Sequence, residues 1–477
     1  MKKILLLLIS FLAPFSVSLA QEHRTVIISL DGCRWDYPEM YDTPFLDNLA
    51  QDGVKAIMQP SFPSVTFPNH YTLATGLVPD HHGIIANKFL DKKSGLVFSL
   101  GDKTTKMDPR FWGGEPVWIT AKRQGKRVGV VYWPGSDVAI QGTYPDIYYN
   151  YEQKPLLTYV ERIAEIERML KMPEDKRPQL IMAYFDEPDH SGHTYGPESR
   201  QTRMQVETLD CLLGQLWKDI QKMPDGKNVN LIVTADHGMD RNSNERIINL
   251  THYLDKSWYK NIAMGFPTMI YTNKGCENKI LKALSKVPHI RAWRKSEMPA
   301  YLNYGTNENI ADIVVTTDIG WVPSDKDEVL AGNHGFDPTY SDMHVLFRAA
   351  GPDFKKGYVK DKVFKNVDVY PLLNYLLSIK PAANDGNLSE VKDLLKISLM
   401  HGKSSHSYNS IVMHFSFSRE VLFFSLICIF FVYSIIFLCF LLVVSKIMFI
   451  FATYLFIRVN AHGTRCAVLS LFIHKRI

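Results

Sequence analysis

Short apolar runs alternate with amphipathic segments through most of this chain. Strands of the buried type are predicted at residues 25–30, 127–133, 179–185 and 229–234. Helices are predicted at residues 44–52, 155–172 and 200–221, the first with Pro44 at its first position and Gly53 just beyond its end. This alternation predicts an α/β fold with a mostly parallel sheet sandwiched by helices.

The pattern changes to shorter alternating units between His237 and His334. These units predict an inserted, smaller α+β subdomain at about residues 255–330. The main sheet is then expected to resume at residues 344–348, followed by a closing helix at 368–378. We therefore expect the folded core to span residues 21–395.

The first residues have the three parts of a secretory signal peptide. Lys2 and Lys3 precede an apolar run from Ile4, and small residues end at Ala20. We expect residues 1–20 to be removed on export and the catalytic core to be periplasmic or extracellular.

The composition shifts to apolar residues near the other end of the chain. Residues 421–444 form a stretch of 24 residues without a charge, long enough as a helix to cross a hydrocarbon layer of about 30 Å. The expected order is a tether at 396–420, a transmembrane helix at 421–445 and a short basic tail at 446–477. The alternative is an unusual end on which no catalytic feature depends.

Charge and cysteine content add little to this picture. Part of the formal net charge of +5 comes from the two ends, so no binding to a nucleic-acid polymer is predicted. The exported core holds three widely spaced cysteines, which is not a disulfide framework: Cys33, Cys211 and Cys276.

Three aspartates follow predicted strands closely, namely Asp31, Asp189 and Asp236. In open α/β sheets ligands bind at the carboxyl ends of the strands, so the three are expected at one edge. Each alone is more often a turn former than a metal ligand.

Three histidines complete a set of zinc-type ligands. His193 stands four residues after Asp189, His237 follows Asp236 directly with Gly238 permitting a bend, and His334 lies between two glycines. Imidazole and carboxylate are ligands that zinc prefers. One predicted site joins Asp189, His193 and His334, and the other joins Asp31, Asp236 and His237.

Thr66 is a seventh candidate, because it stands where a helix is expected to begin, two residues before Pro68. A threonine there is ordinarily an N-cap. Beside a zinc ion its hydroxyl could bind the metal, ionise and attack. The combination predicts a two-metal hydrolase acting at phosphorus.

Seven motifs occur in this order along the chain: Ser29-Leu-Asp-Gly-Cys-Arg-Trp-Asp36, Thr66-Phe-Pro-Asn-His70, Trp133-Pro-Gly-Ser-Asp137, Glu187-Pro-Asp189, Ser191-Gly-His193, Asp236-His-Gly238 and His334-Gly335. Together they resemble the nucleotide pyrophosphatase/phosphodiesterase family of the alkaline phosphatase superfamily. The resemblance runs from about residue 25 to 395. It is closest to a compact bacterial type, without cysteine-rich modules or a nuclease-like domain.

The resemblance implies a catalytic domain at residues 21–395 that holds two Zn²⁺ ions on the six ligands and uses Thr66 as the nucleophile. It implies that Asn87 donates to a phosphate oxygen and that Phe67 and Tyr151 sandwich a nucleobase. The same pocket is expected to include Leu100, Lys106 and Trp133. The implied reaction hydrolyses nucleotide phosphodiester and pyrophosphate bonds through a phospho-threonine, releasing nucleoside 5'-monophosphates.

Two alternatives stand beside this prediction. One is a lysophospholipid or glycerophosphodiester enzyme of the same family, against which the aromatic pair Phe67 and Tyr151 argues because a flat base stacks well on such rings. The other is a non-catalytic binding ectodomain, which the complete ligand set disfavours. No protein partner is predicted.

Overall fold

The computed structural model describes residues 23–396. The predicted signal peptide at 1–20, the transmembrane helix at 421–445 and the basic tail at 446–477 lie outside these residues, as does the tether at 396–420 apart from its first residue. These assignments stay predictions. Among residues 23–396, no helix is both long enough and apolar enough to cross a bilayer.

The described chain alternates strands and helices as the hydrophobic pattern predicts. The strands are β1 (Arg24–Leu30), β2 (Val54–Gln59), β3 (Lys88–Leu90), β4 (Val97–Ser99), β5 (Val128–Val131), β6 (Ile147–Tyr148), β7 (Leu180–Phe185), β8 (Val229–Thr234), β9 (Asp240–Arg241), β10 (Ile247–Ile248), β11 (Tyr259–Ala263), β12 (Thr268–Thr272), β13 (Ile290–Arg294), β14 (Ile313–Thr317), β15 (Val322–Pro323), β16 (Gly332–Asn333), β17 (Val345–Ala350), β18 (Tyr358–Val359) and β19 (Phe364–Lys365). The α-helices are α1 (Tyr37–Met40), α2 (Pro44–Asp52), α3 (Thr66–Thr75), α4 (Pro79–His82), α5 (Lys103–Lys106), α6 (Val117–Arg123), α7 (Tyr159–Leu170), α8 (Asp189–Tyr195), α9 (Arg200–Lys222), α10 (Glu277–Leu284) and α11 (Val369–Leu376).

The main sheet has the strand order β18-β2-β17-β8-β1-β7-β5-β6, with β19 also paired to β2. The central strands β8, β1, β7 and β5 run parallel. Strand β17 runs antiparallel to both of its neighbours. The predicted α/β fold with a mostly parallel sheet is therefore confirmed.

Helices cover both faces of this sheet. Strands β1, β7 and β8 are buried along their whole length, which requires cover on both faces. Helices α2, α7 and α9 form one packed group, and α3, α6 and α11 form another. Apolar side chains from both groups and from the sheet make one large core.

Capping residues decide where the helices begin and end. Helix α7 starts at Tyr159, later than predicted, because Thr158 and Glu161 form a capping box. Helix α3 ends at Thr75, and the C-cap residue Gly76 has a left-handed backbone, which suits glycine.

A second, antiparallel sheet with the order β11-β12-β14-β13 lies between residues 259 and 317. Its strands and helix α10 surround a separate hydrophobic cluster that includes Ile270, Ile280 and Ile313. This sheet falls within the predicted insertion at 255–330. The domain boundaries themselves remain predictions.

Shortening a buried side chain of helix α9 tests whether the apolar face of this helix stabilises the main core. Leu213 is fully buried and Met204, on the same helix, is 53% exposed. We expect Leu213→Ala to lower the free energy of unfolding by about 2–5 kcal/mol. The control Met204→Ala should change it by less than about 0.5 kcal/mol. Equal losses in urea titrations of the two variants would contradict the packing described here.

Candidate metal centre

The carboxyl ends of three adjacent strands meet at one point of the sheet. Asp31 follows β1 directly, Asp189 opens helix α8 after β7, and Asp236 lies two residues beyond β8. The backbone N–H of Asp31 donates to the carbonyl oxygen of Phe185, and that of Asp189 donates to the carbonyl oxygen of Asp31, both at 2.9 Å. The loops that carry Asp31 and Asp189 are therefore joined by backbone hydrogen bonds.

Six residues gather here into two groups of possible ligands, Asp189 with His193 and His334, and Asp31 with Asp236 and His237. Within each group, one ligand atom from every residue lies within 4.8 Å of the others. These are the two groups that the sequence predicts. Their role as metal ligands remains a proposal.

The histidines are oriented by hydrogen bonds to the backbone. The Nδ1 atoms of His193, His334 and His237 lie 2.8, 2.9 and 2.9 Å from the carbonyl oxygens of Gly332, Ser64 and Gly238. A carbonyl oxygen only accepts, so each Nδ1 carries the proton and each Nε2 presents a lone pair. Such bonds fix the tautomer of metal-binding histidines.

These Nε2 lone pairs face atoms that are also electron-rich. The Nε2 atoms of His193 and His334 lie 3.1 Å apart, and each is 3.5 Å from Asp189 Oδ1. In the other group, His237 Nε2 lies 3.3 Å from Asp31 Oδ1 and 3.1 Å from Asp236 Oδ2. A cation between these atoms would turn their repulsion into attraction.

Three buried carboxylate oxygens have no hydrogen-bond partner among the described residues, namely Asp31 Oδ1, Asp189 Oδ1 and Asp236 Oδ2. Buried polar atoms without partners are costly and therefore rare. These are the same three oxygens that face the imidazole nitrogens. The donor set and its unpartnered atoms thus fit two zinc-type cations.

The pKa values of these groups reflect burial and their close spacing. Burial raises the pKa of Asp189 to about 7. Burial and the charge of Asp236 raise the pKa of Asp31 well above its usual value. Burial lowers the pKa values of His193 and His334, which keeps both imidazoles neutral.

Thr66 begins helix α3, as predicted, and Val65 rather than Thr66 occupies the N-cap position. The threonine hydroxyl is therefore not used as a cap. Its Oγ1 lies 3.1 Å from His237 Nε2, at the edge of the second ligand group. The hydroxyl is thus placed to contact a cation held there.

Gly238 and Gly335 serve different needs beside the ligands. Gly335 has φ +97°, and its position also lies close to Phe266 and Val65. Gly238 has no left-handed backbone, so the predicted bend is not its role; a Cβ there would overlap the carbonyl oxygen of Asp342. The strand-end loop is packed against a neighbouring turn, and only glycine leaves room.

A cavity of about 270 Å³, which we call the aromatic cavity, opens beside Thr66 and the aspartates. Its lining contains every residue that the sequence predicts for the nucleobase pocket: Phe67, Leu100, Lys106, Trp133 and Tyr151. It also contains aromatic residues that the sequence analysis missed: Trp112, Tyr132 and Tyr184. Trp112 packs against Phe67 with ring centroids 5.9 Å apart.

Lys106 and Asn87 are each held by a specific partner. The Lys106 ammonium pairs with Glu152, so the lysine lines the cavity as half of an ion pair. Asn87 Oδ1 accepts from the backbone N–H of Phe67 at 3.1 Å. This bond occupies the Phe67 amide and leaves the Asn87 Nδ2 group to donate elsewhere.

His70 and Tyr184 contact the aspartates directly, and the sequence analysis assigned neither. The Tyr184 hydroxyl donates to Asp31 Oδ2 at 2.6 Å. His70 Nδ1 lies 3.2 Å from Asp236 Oδ2 and 3.0 Å from the Thr66 carbonyl oxygen, while Ser29 Oγ lies 2.9 Å from His70 Nε2. The position of His70 four residues after Thr66 was the available signal, since that spacing returns to the same helix face.

Substitution of His70 tests whether its hydrogen bond to the Thr66 carbonyl oxygen stabilises the start of helix α3. His70→Leu keeps the volume but removes this donor, so it should lower the free energy of unfolding by about 1–3 kcal/mol. His70→Asn places an amide nitrogen where Nδ1 stands, and should recover part of this loss. Both are measured by urea titration in excess chelator, so that no metal contributes. An Asn variant less stable than the Leu variant would contradict a stabilising role for the bond from His70 Nδ1 to the Thr66 carbonyl oxygen.

This chain is similar in sequence to known proteins. Residues 25–337 match the family described as type I phosphodiesterase/nucleotide pyrophosphatase. Human ectonucleotide pyrophosphatase/phosphodiesterase family member 5 is 35% identical over 82% of this chain and 83% of its own length. Human family member 1 is also 35% identical, but the match covers only 42% of its length.

Solved structures show the same similarity. Murine ectonucleotide pyrophosphatase/phosphodiesterase 5 has a TM-score of 0.74 and 35% identity, covering 78% of this chain and all of that one. An inactive threonine-to-alanine variant of that murine protein, in complex with AMP, also has a TM-score of 0.74, with 34% identity over 79% of this chain. The predicted alkaline-phosphatase-like fold is confirmed. This chain belongs to the type I phosphodiesterase/nucleotide pyrophosphatase family of hydrolases.

Proposed function

We propose that this protein is a two-zinc phosphodiesterase that hydrolyses nucleotide phosphodiester and pyrophosphate bonds and releases nucleoside 5'-monophosphates. The observation that carries the proposal is the position of Thr66 Oγ1. It lies 3.1 Å from His237 Nε2, beside two ligand groups whose facing carboxylate oxygens have no other partner among the described residues.

The proposed metal ligands divide as the structure groups them. Asp189, His193 and His334 would hold one ion, and Asp31, Asp236 and His237 would hold the other, with Thr66 at its edge. When bound, the two zinc ions would neutralise phosphate charge and lower the pKa of nearby hydroxyl groups.

Thr66 is the proposed nucleophile. Its oxygen attacks phosphorus, the bond from phosphorus to the leaving oxygen breaks, and a phospho-threonine forms. Water then attacks the same phosphorus and releases the monophosphate and the free threonine. Asn87, fixed through its Oδ1 by the Phe67 amide, directs its Nδ2 group to a phosphate oxygen.

The aromatic cavity is proposed to bind the nucleoside. Phe67 and Tyr151 both line it, and a base stacked on an aromatic side chain gains about 1–3 kcal/mol. The complex of the murine relative with AMP supports a nucleotide ligand. The same lining disfavours the alternative of a lysophospholipid substrate.

Replacement of Thr66 tests the nucleophile. Thr66→Ala should lower kcat on thymidine 5'-monophosphate nitrophenyl ester by about 10³-fold or more, because no oxygen remains to form the intermediate. Thr66→Ser keeps an oxygen and should retain more of the rate. AMP binding, measured by calorimetry, should persist in the alanine variant. An alanine variant with near-normal kcat would contradict the proposal.

Metal binding should release protons from carboxyl groups. Burial raises the pKa of Asp189 to about 7, so below pH 7 this carboxyl holds a proton that a cation must displace. Burial also raises the pKa of Asp31, whereas the pKa values of His193 and His334 are lowered, so these imidazoles are already neutral. Zinc affinity should therefore fall by about tenfold per pH unit for each displaced proton below pH 7, and should change less between pH 7 and pH 8.

The proton count can be measured directly by calorimetric zinc titration in buffers of different ionisation enthalpy. Replacing Asp189 with Asn should lower the number of protons released. An affinity that does not change between pH 6 and pH 8 would show that these carboxyls are not the groups displaced.

A further inference from the structure

A short segment connects helix α4 with Asn87, the residue proposed to donate to a phosphate oxygen. Helix α4 spans Pro79–His82, and Gly83 at its C-cap has a left-handed backbone. Residues 84–86 are buried and lead directly to Asn87, whose Oδ1 accepts from the Phe67 amide. The position of the Asn87 side chain therefore depends on what holds this segment in place.

Asp80 on helix α4 binds a loop between β13 and β14, which we call the 305–307 loop. Asp80 is 5% exposed, and its Oδ1 accepts from the backbone N–H groups of Gly305, Thr306 and Asn307 at 2.9, 3.1 and 3.0 Å. Its Oδ2 accepts from the N–H and the hydroxyl of Thr306. Successive backbone N–H groups that converge in this way form an anion-binding concavity, which here holds a carboxylate of the same chain.

Tyr304, directly before this loop, makes a second bond to the same segment. Its hydroxyl donates to the carbonyl oxygen of Ile85, two residues before Asn87, at 3.2 Å. Its ring is buried and packs edge-on against Phe62, with centroids 5.1 Å apart. The part of the chain that carries the antiparallel sheet thus holds the segment before Asn87 at two points.

Helix α3 contacts the segment through His82. This residue is fully buried, and its Nε2 lies 3.1 Å from both Thr72 Oγ1 and the carbonyl oxygen of Pro68. Thr66 begins the same helix. The position of Asn87 relative to Thr66 is therefore set from two sides, by helix α3 and by the 305–307 loop.

We propose that Asp80 and Tyr304 are positioning residues, which fix the point at which Asn87 presents its Nδ2 group. The proposal rests on the role proposed above for Asn87. A donor aimed at the charge that develops in the transition state must be accurately placed, and an error of about 1 Å can lower a rate by about 10²-fold. The inserted sheet contributes no proposed metal ligand, but through these two residues it would set the catalytic rate.

Replacement of Asp80 by Asn keeps the shape of the side chain and removes one acceptor. An amide has one acceptor oxygen and an NH₂ group that only donates. In either orientation, this NH₂ group would therefore face an N–H group of the 305–307 loop. We expect the loop and the segment before Asn87 to separate slightly in this variant.

Asp210 offers a matched control for the loss of a buried carboxylate. It is 2% exposed and lies on helix α9. Its two oxygens accept from the backbone N–H groups of Leu46 and Phe45 at 2.8 and 3.0 Å. Asp210→Asn should therefore lower the urea midpoint of unfolding, as Asp80→Asn does, but without moving Asn87.

Turnover of thymidine 5'-monophosphate nitrophenyl ester by the zinc-loaded full chain separates the two variants. Asp80→Asn should lower kcat by about tenfold and leave KM nearly unchanged, because the misplaced donor acts in the transition state. Asp210→Asn should change neither constant. A normal kcat in the folded Asp80→Asn protein would overturn the proposal.

A double-mutant cycle shows whether Asp80 acts through Asn87. Asn87→Ala should lower kcat by about 10²-fold, as expected for the loss of one donor to the transition state. Adding Asp80→Asn should then have little further effect, because no amide remains to be positioned. Effects that multiply to about 10³-fold would overturn the positioning role and leave the proposed function standing.

Tyr304→Phe provides a second and milder variant, since it removes one hydroxyl and keeps the ring packed on Phe62. It should lower kcat in the presence of Asn87 and not in the Asn87→Ala protein. Tyr358→Phe is the control, because it also removes one hydroxyl, which donates to Asp393 Oδ2 at 2.7 Å. A normal kcat in the folded Tyr304→Phe protein would overturn the role of Tyr304.

Amide hydrogen exchange tests the positioning without turnover. The amides of residues 84–87 should exchange faster in Asp80→Asn than in the wild-type protein or in Asp210→Asn. Unchanged exchange at these residues would overturn the proposal. A near-normal kcat in Asn87→Ala would instead contradict the role of Asn87 in the proposed function, and the positioning role would fall with it.

Discussion

The structure depends on a group of lone pairs at one edge of the sheet that have no hydrogen-bond donor among the described residues. Imidazole nitrogens of His193 and His334 face each other at 3.1 Å, and three buried carboxylate oxygens nearby have no hydrogen-bond donor among the described residues. Lone pairs held this close repel one another in a medium of low dielectric constant. The two cations of the proposed function would remove this repulsion, and the backbone carbonyls that fix the Nδ1 protons of the two histidines orient their Nε2 atoms toward the site.

The central sheet and its helices explain why such an arrangement can persist. The three aspartates lie beyond adjacent parallel strands. The N–H of Asp189 donates to the carbonyl oxygen of Asp31, and the N–H of Gly32 donates to Asp236 Oδ1, so their loops are joined by hydrogen bonds. The strands beneath them are buried on both faces. Helix α3 presents Thr66 to the same edge, and His70 on its next turn contacts both Asp236 and the Thr66 carbonyl oxygen. The proposed nucleophile and the proposed metal ligands are therefore parts of one packed unit.

Much of the fold and of the candidate site could be predicted from the sequence. The strand pattern places Asp31, Asp189 and Asp236 at one edge of the sheet, and the imidazole groups of the histidines complete a set of zinc-type ligands. Other features depend on contacts between distant segments. The need for glycine at position 238 comes from the carbonyl oxygen of Asp342, a close approach that no local pattern shows. The positions of Trp112 and Tyr184 in the aromatic cavity likewise arise from tertiary packing, as does the bond from the Phe67 amide to Asn87.

The most direct test of the central claim is the location of metal in crystals of the zinc-loaded protein, by anomalous scattering at the zinc edge. The account predicts two peaks about 4 Å apart. One should lie about 2.0–2.2 Å from atoms of Asp189, His193 and His334, and the other at the same distance from Asp31, Asp236 and His237. A single peak, or none at these residues in zinc-saturated crystals, would contradict it.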